Sequence, residues 1–457
     1  MNANGKTSVM ANTLKLALAI LSFITVTAMT SCSSSADDDM QAASETSKVV
    51  EGSKLILGMS TSTSGSRADA STDGEANVSG LRVFFCDNSD NIKYVVTSYD
   101  NTANLSSVVI ALDEQNIPVG TYHIFIGANL SDALKSQLKV GANISSAVAS
   151  ITSVSSLTES GKFVMFGEAV SGTSSEITLA EGQTSSASVS LTRVVAKMIV
   201  TATVDSNNCI SDPNGIADIK LTDMQYTLVN TNTKFYCMQK TVNGTVEDPN
   251  HSMDSFLNST SEFMNPEDSK SVQAYDANKI TSNDATYTAN ASYCLENTSD
   301  ESASFSSWSA SVQTANAQKV ATYVRITVKA TPKLIDGKAF ATVTLTNGKY
   351  YTNLQASGSA KYLCFSSAAT LRAYFGTVAD SNIQEHSTAD TYSYNVFVDS
   401  KTFTAAGSSV LRNHYYVLNI NSMSTPFITK VMEINTKVAN WNVKGTTVQT
   451  IDTSNAN

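Results

Sequence analysis

The sequence predicts an all-β protein built as two tandem β-sandwiches. Three observations carry this. Short apolar segments at period two recur along the chain, parted by Asn, Asp, Ser and Gly clusters. Helical spacing is confined to one good candidate, residues 130–150, in a chain of 457. That length suits two or three domains. About seven short strands crowd the first stretch after Arg67, which is β-sandwich anatomy.

Residues 1–31 read as a lipoprotein signal peptide. Lys6 and Lys15 give a positive start, and residues 16–28 form an apolar run too short to span a bilayer stably. The run ends Met29-Thr30-Ser31-Cys32. Small residues before a cysteine let a lipoprotein signal peptidase cut there. The Cys32 sulfur then takes a diacylglycerol and its new amino group a third chain. Acyl chains contribute about 0.8 kcal/mol per buried methylene, so several anchor firmly. The plainer reading is a chance cysteine behind an ordinary signal peptide. Residues 33–53 are small, polar and acidic, a tether. Together these features predict an outer-membrane lipoprotein of a Gram-negative cell, with passage onward to the cell surface.

Residues 54–60 follow as a strand. Leu55, Leu57 and Met59 share one face; Ile56 and Ser60 share the other, with Gly58 between them. Residues 61–66 are small and polar, and Arg67 is a lone basic residue where proteases cut. We read 32–67 as a lipidated propeptide with a removable strand. Cleavage after Arg67 would make Ala68 the mature start and open a hydrophobic groove for a strand from another molecule. An ordinary first strand and loop is the competing reading.

The first sandwich is expected over 68–190. Its strands are 81–86 with 92–97, then 107–112, 121–129, 163–167, 177–179 and 186–191. The second, over 191–436, opens on Leu191-Thr192-Arg193-Val194-Val195-Ala196-Lys197-Met198 with no linker, so a stiff rod is expected. Further strands are placed at 219–229, 234–239, 321–329, 338–345, 350–351, 393–398 and 414–420. Residues 241–301, rich in Asn, Ser and Asp, read as an insertion of long loops. The tail, 437–457, carries Ala439, Trp441 and Val443 alternating with polar neighbours. An exposed strand of this kind is a pairing hazard in a monomer and a plug in a polymer.

Composition narrows the function. There are 40 acidic and 30 basic residues, a net charge of -10, which disfavours nucleic acid as a partner. Beyond Cys32, the widely spaced Cys86, Cys209, Cys237, Cys294 and Cys364 contain no CxxC pair, so neither zinc nor redox chemistry is indicated. Buried free thiols are the favoured reading, with one disulfide left open. His123, His251, His386 and His414 lie in no metal-binding or catalytic motif, and no phosphate-cradling glycine loop occurs. No enzyme activity, metal or cofactor is therefore expected.

The ends and joints resemble those of the FimA-type major fimbrillins of type V pili. The matching pieces are Thr30-Ser31-Cys32, the strand before Arg67, residues 120–129, the run from Leu191 to Met198, Arg412-Asn413-His414-Tyr415-Tyr416, and Val438-Ala439-Asn440-Trp441-Asn442-Val443. The resemblance implies transthyretin-like, Greek-key sandwiches and a lipoprotein precursor. It implies cleavage by an arginine-specific extracellular protease and head-to-tail polymerisation by donor-strand exchange. It further implies anchor and tip subunits as partners, and a fimbrium serving adhesion and biofilm formation. A pilus tip or accessory adhesin is the alternative within that class. A surface glycan-binding lipoprotein is the alternative outside it, disfavoured because only Trp308 and Trp441 could serve as tryptophan platforms.

Overall fold

Alternation along each apolar segment sets the strands, and the turn residues between them set their order. The computed structural model describes residues 52–60, 75, 77–99, 106–159, 162–205, 209–210, 219–250, 263–281, 284–298, 321–398, 409–423, 432–440 and 449–456. All of these lie in one unit, Ser47–Asn457.

Among the described residues, the first half holds ten strands. They are β1 (Lys54–Ser60), β2 (Leu81–Cys86), β3 (Ile92–Tyr99), β4 (Ser107–Ala111), β5 (Gly120–Ala128), β6 (Val148–Ser150), β7 (Met165–Val170), β8 (Glu176–Leu179), β9 (Thr184–Ser190) and β10 (Thr192–Arg193). All but β6 form one folded-over sheet in the order β3-β2-β5-β7-β9-β1-β4, with β8 on β5 and β10 on β7. Leu55, Val83, Phe85, Ile110, Ile124, Met165 and Val189 are among the side chains filling its interior.

The second half is built on two facing sheets, with smaller two-stranded ladders beside them. One contains β11 (Val195–Ala202), β14 (Ser292–Leu295), β17 (His414–Met423), β18 (Met432–Asn440) and β19 (Gln449–Ala456). The other contains β12 (Ile219–Val229), β15 (Tyr323–Pro332) and β16 (Thr391–Phe397). Between them pack Met198, Val200, Leu418 and Ile420 from the first sheet and Tyr226, Val324, Ile326 and Tyr394 from the second. The expected all-β, sandwich-like class is what the chain adopts.

Strand β11 explains the missing linker. All eight of its residues are buried. Ala196, Met198, Val200 and Ala202 face the second-half core, while Val195 and Ile199 face a third cluster shared by both halves. That shared cluster joins Phe84, Phe125 and Phe166 to Leu295, Tyr415 and Val417. The strand β6 adds backbone pairing across the same seam with β13 (Lys234–Tyr236). A strand buried on both faces reads as a near-continuous apolar run, which is the signal seen at 194–200, broken only by Lys197.

Three expectations fare differently. The helix expected over 130–150 is the short α1 (Asp132–Gln137), capped by the Ser131 side chain. The rest is captured by the start of β3: Gly141 N donates to Ile92 O and Ile92 N to Ala142 O, both at 2.8 Å. The strand expected over 338–345 is only Lys338–Ala339, running into a 3-10 turn at Phe340–Thr342. Its partner Leu334–Ile335 meets it across Asp336 and Gly337, whose φ values of 52° and 70° make a tight two-residue hairpin. Finally, the 241–301 segment is partly core. Met264, Tyr287 and Leu295 enter the shared cluster, and β14 pairs with β11.

Gly167 in β7 marks a close approach. A Cβ built there would lie 2.5 Å from the Ser190 carbonyl oxygen and 2.7 Å from a Val189 methyl. Gly167→Ala is expected to cost about 1–3 kcal/mol, as overpacking does. Urea unfolding checks this: the midpoint should fall with the slope unchanged.

Candidate assembly site

The strand singled out in the sequence lies one strand in from the edge of the first-half sheet, between β9 and the edge strand β4. Strand β1 pairs in parallel with β9, from Lys54 opposite Thr184 to Ser60 opposite Ser190. It pairs antiparallel with β4, from Lys54 opposite Ala111 to Gly58 opposite Ser107. Its ends are tied as well. Ser53 Oγ donates to Ala180 O and accepts from Gly182 N. Leu112 N donates to Ser53 O at 3.0 Å, and Leu191 N to Ser60 O at 2.7 Å.

The side chains follow the expected alternation. Leu55 and Leu57 are 0% exposed, and Met59 is half-buried against the same core. Ile56 points outward at 36% exposure, opposite Val109 at 54%. Burying the two leucines is worth on the order of 3–6 kcal/mol. Strand β4 has no other partner in this sheet among the described residues. Taking β1 away would therefore open a slot walled by β9 and β4 and uncover the core.

At the other end of the chain, Ala439 lies in β18, opposite Tyr415 of β17. Strand β18 runs unbroken across the expected boundary at 436/437, and β19 pairs along its far edge as the outermost strand. Cys32, Arg67, Ala68, Trp441 and Val443 lie outside the described residues.

A buried polar seam went unread in the sequence. Lys197 Nζ donates to both carboxylate oxygens of Glu75, at 2.8 and 2.9 Å, and Tyr293 Oη donates to Glu75 Oε1 at 2.6 Å. Arg193 Nε donates to the Glu75 backbone carbonyl, and its Nη1 to Asn413 Oδ1. Burial, then the Glu75 carboxylate, push the Tyr293 phenol far above its ordinary range, so it remains a donor. Lys197 also sits 5.1 Å from the Tyr415 ring centroid. Breaking one partner of such a pair costs about 3–5 kcal/mol. The available signal was two cations, Arg193 and Lys197, inside an otherwise apolar run. Their partner lies more than a hundred residues upstream, and nothing in its neighbourhood marks it. A second buried pair, Arg412 with Glu296, holds the start of β17.

The remaining reactive side chains are structural. Cys86, Cys237, Cys294 and Cys364 are buried free thiols. Burial pushes Cys86, Cys237 and Cys294 up to about 12, so they are poor nucleophiles. Cys237 and Cys364 lie outside the strands. His123 bonds Asp90 at 2.7 Å, and His386 is buried against Thr352 and stacked on Tyr350. Among the described residues, no group of three or more His, Cys, Asp or Glu is placed to hold a metal.

In its first half the chain is similar to fimbrial subunits. The resemblance is to FimA-type fimbrillins: residues 54–193 match the family model described as major fimbrial subunit protein (FimA). No curated protein matches. Among solved structures, a fimbrilin (FimA) from Porphyromonas gingivalis W83 is 13% identical, with a TM-score of 0.42 over 86% of this chain and 98% of that one. The tip fimbrial protein Mfa3 from Porphyromonas gingivalis, with C-terminal truncation, is 16% identical, with a TM-score of 0.41 over 85% and 99%. A fimbrial assembly protein from Parabacteroides distasonis is 14% identical, with a TM-score of 0.36 over 87% and 97%.

Proposed function

We propose that this chain is the structural subunit of a pilus shaft. It is exported as a lipoprotein acylated at Cys32 and held at the outer membrane. An arginine-specific extracellular protease cuts after Arg67, and Ala68 becomes the mature start. The subunit, two transthyretin-like sandwiches over 68–190 and 191–436, then polymerises head to tail. Its tail, 437–457, enters the slot that β1 vacates in a neighbour, with Ala439, Trp441 and Val443 taking the place of Leu55, Leu57 and Met59. Anchor and tip subunits complete the fibre.

The observation that most supports this reading is the position of β1. It is bonded along both edges and buried on its inner face, yet it precedes a small, polar segment ending in Arg67. A strand entering this slot regains main-chain pairing on two sides and refills the core, as in strand-addition recognition. A contact between unlike surfaces need not close, so it grows a filament.

The test is a set of three chains viewed by electron microscopy and sequenced from the amino terminus. Wild type should give filaments beginning at Ala68. Arg67→Ala should give a folded monomer with β1 retained. Cys32→Ala should lose incorporation of a fatty-acid analogue. Filaments that retain residues 54–67 would show that the strand is permanent.

A further inference from the structure

We propose that Glu75 anchors the mature amino terminus. The idea rests on the assembly reading above, in that it concerns what stays behind when β1 leaves. Glu75 lies eight positions after Arg67 and is buried. Its carboxylate is held by Lys197 of β11 and Tyr293 of β14, and its backbone carbonyl by Arg193. Every one of these partners belongs to the seam or the second half. None belongs to β1 or to the walls of its slot.

The residues just downstream are fastened separately. Ser79 N and Oγ donate to Asn129 Oδ1, while Asn129 Nδ2 donates to the carbonyls of Asn77 and Phe163. Val78 is buried in the first-half core beside Leu81 of β2. The chain from Glu75 onward therefore has polar attachments that involve no residue of β1, besides the core that Val78 shares with Leu55 and Leu57. A cut after Arg67 frees the strand upstream and leaves only a short polar lead, Ala68-Asp69-Ala70-Ser71-Thr72-Asp73-Gly74, ahead of the anchor. The anchor keeps loss of β1 from spreading into β2, which pairs with both β3 and β5.

Hydrogen exchange read by mass spectrometry tests this on the full chain, before cleavage and again in filaments. Glu75→Gln removes the charge, and Glu75→Gln with Lys197→Met removes both members of the pair. Dropping both charges together spares the fold the uncompensated lysine. In wild type, the amides of 75–80 should stay equally protected in precursor and filament. In the double variant they should exchange at least about tenfold faster in the filament, while global melting stays close to wild type. A purely structural role would make local exchange follow global stability instead. Wild-type filaments in which 75–80 exchange as freely as 68–74 overturn the proposal, and so does a double variant that matches wild type. If no filament forms at all, the assembly reading fails by itself. The anchor is then judged in the uncleaved chain, where the double variant must still speed exchange at 75–80 about tenfold, and unchanged exchange overturns it.

Discussion

Leu57→Ala should destabilise the uncleaved precursor by about 2–5 kcal/mol and leave mature filaments as stable as wild type. The first part follows from packing. Leu57 is completely buried in the first-half core, and truncating such a leucine loses its transfer free energy and leaves a cavity. Flanking strands pinned on both edges of β1 limit how far the site can collapse. The second part follows from the proposed exchange, because Leu57 is absent from the mature subunit. Urea unfolding of the precursor and depolymerisation of purified filaments measure the two halves separately. Filaments weakened to the same extent as the precursor would mean that β1 remains in the shaft, and the exchange reading would be lost.

Truncation of the tail should abolish polymerisation and spare the monomer. Removing 437–457 would cut into β18, whose residues Lys437 to Asn440 pair with Val417 to His414. A cleaner truncation begins at Trp441. It keeps β18 whole and removes β19, the outermost strand, which among the described residues pairs only with β18. The truncated protein should remain soluble, melt cooperatively and form no filaments. Within the tail, Trp441→Ala should weaken the subunit contact by roughly 3–5 kcal/mol, since aromatics dominate such interfaces. The pairing of β19 with β18 adds a condition: the tail must peel from its own sheet before it can reach a neighbour. A truncated chain that misfolds or aggregates would make the tail ordinary core.

The strands were readable wherever one face is buried and the other is wet. Strand β1 is the clearest case, because Leu55 and Leu57 stand against an exposed Ile56. Strand β12, Ile219–Val229, also falls where its pattern placed it. The failures are tertiary. Residues 139–144 have helical spacing, but their backbone groups are taken by Ile92 and Asp90. The segment expected to be loops at 241–301 looked polar because its apolar residues are few, yet Tyr287, Cys294 and Leu295 are buried. The slot itself could be inferred only halfway. Period two shows that β1 has an inner face, but the identity of its neighbours depends on pairings across more than a hundred residues with β9. The Glu75 seam left only Arg193 and Lys197 as a trace, two cations in an apolar run whose partner lies as far off in sequence.

The two-sided bonding of β1 has a mechanical consequence. Because both of its edges are bonded along most of its length, a pull along the strand axis loads those hydrogen bonds together, in shear. A pull across the axis would open them one after another, like a zip. Each bond contributes only about 0.5–1.5 kcal/mol net, so the direction of loading matters more than the strength of any single bond. A fibre whose joints are strands seated in this slot, with tension running along them, would resist stretching far better than sideways peeling.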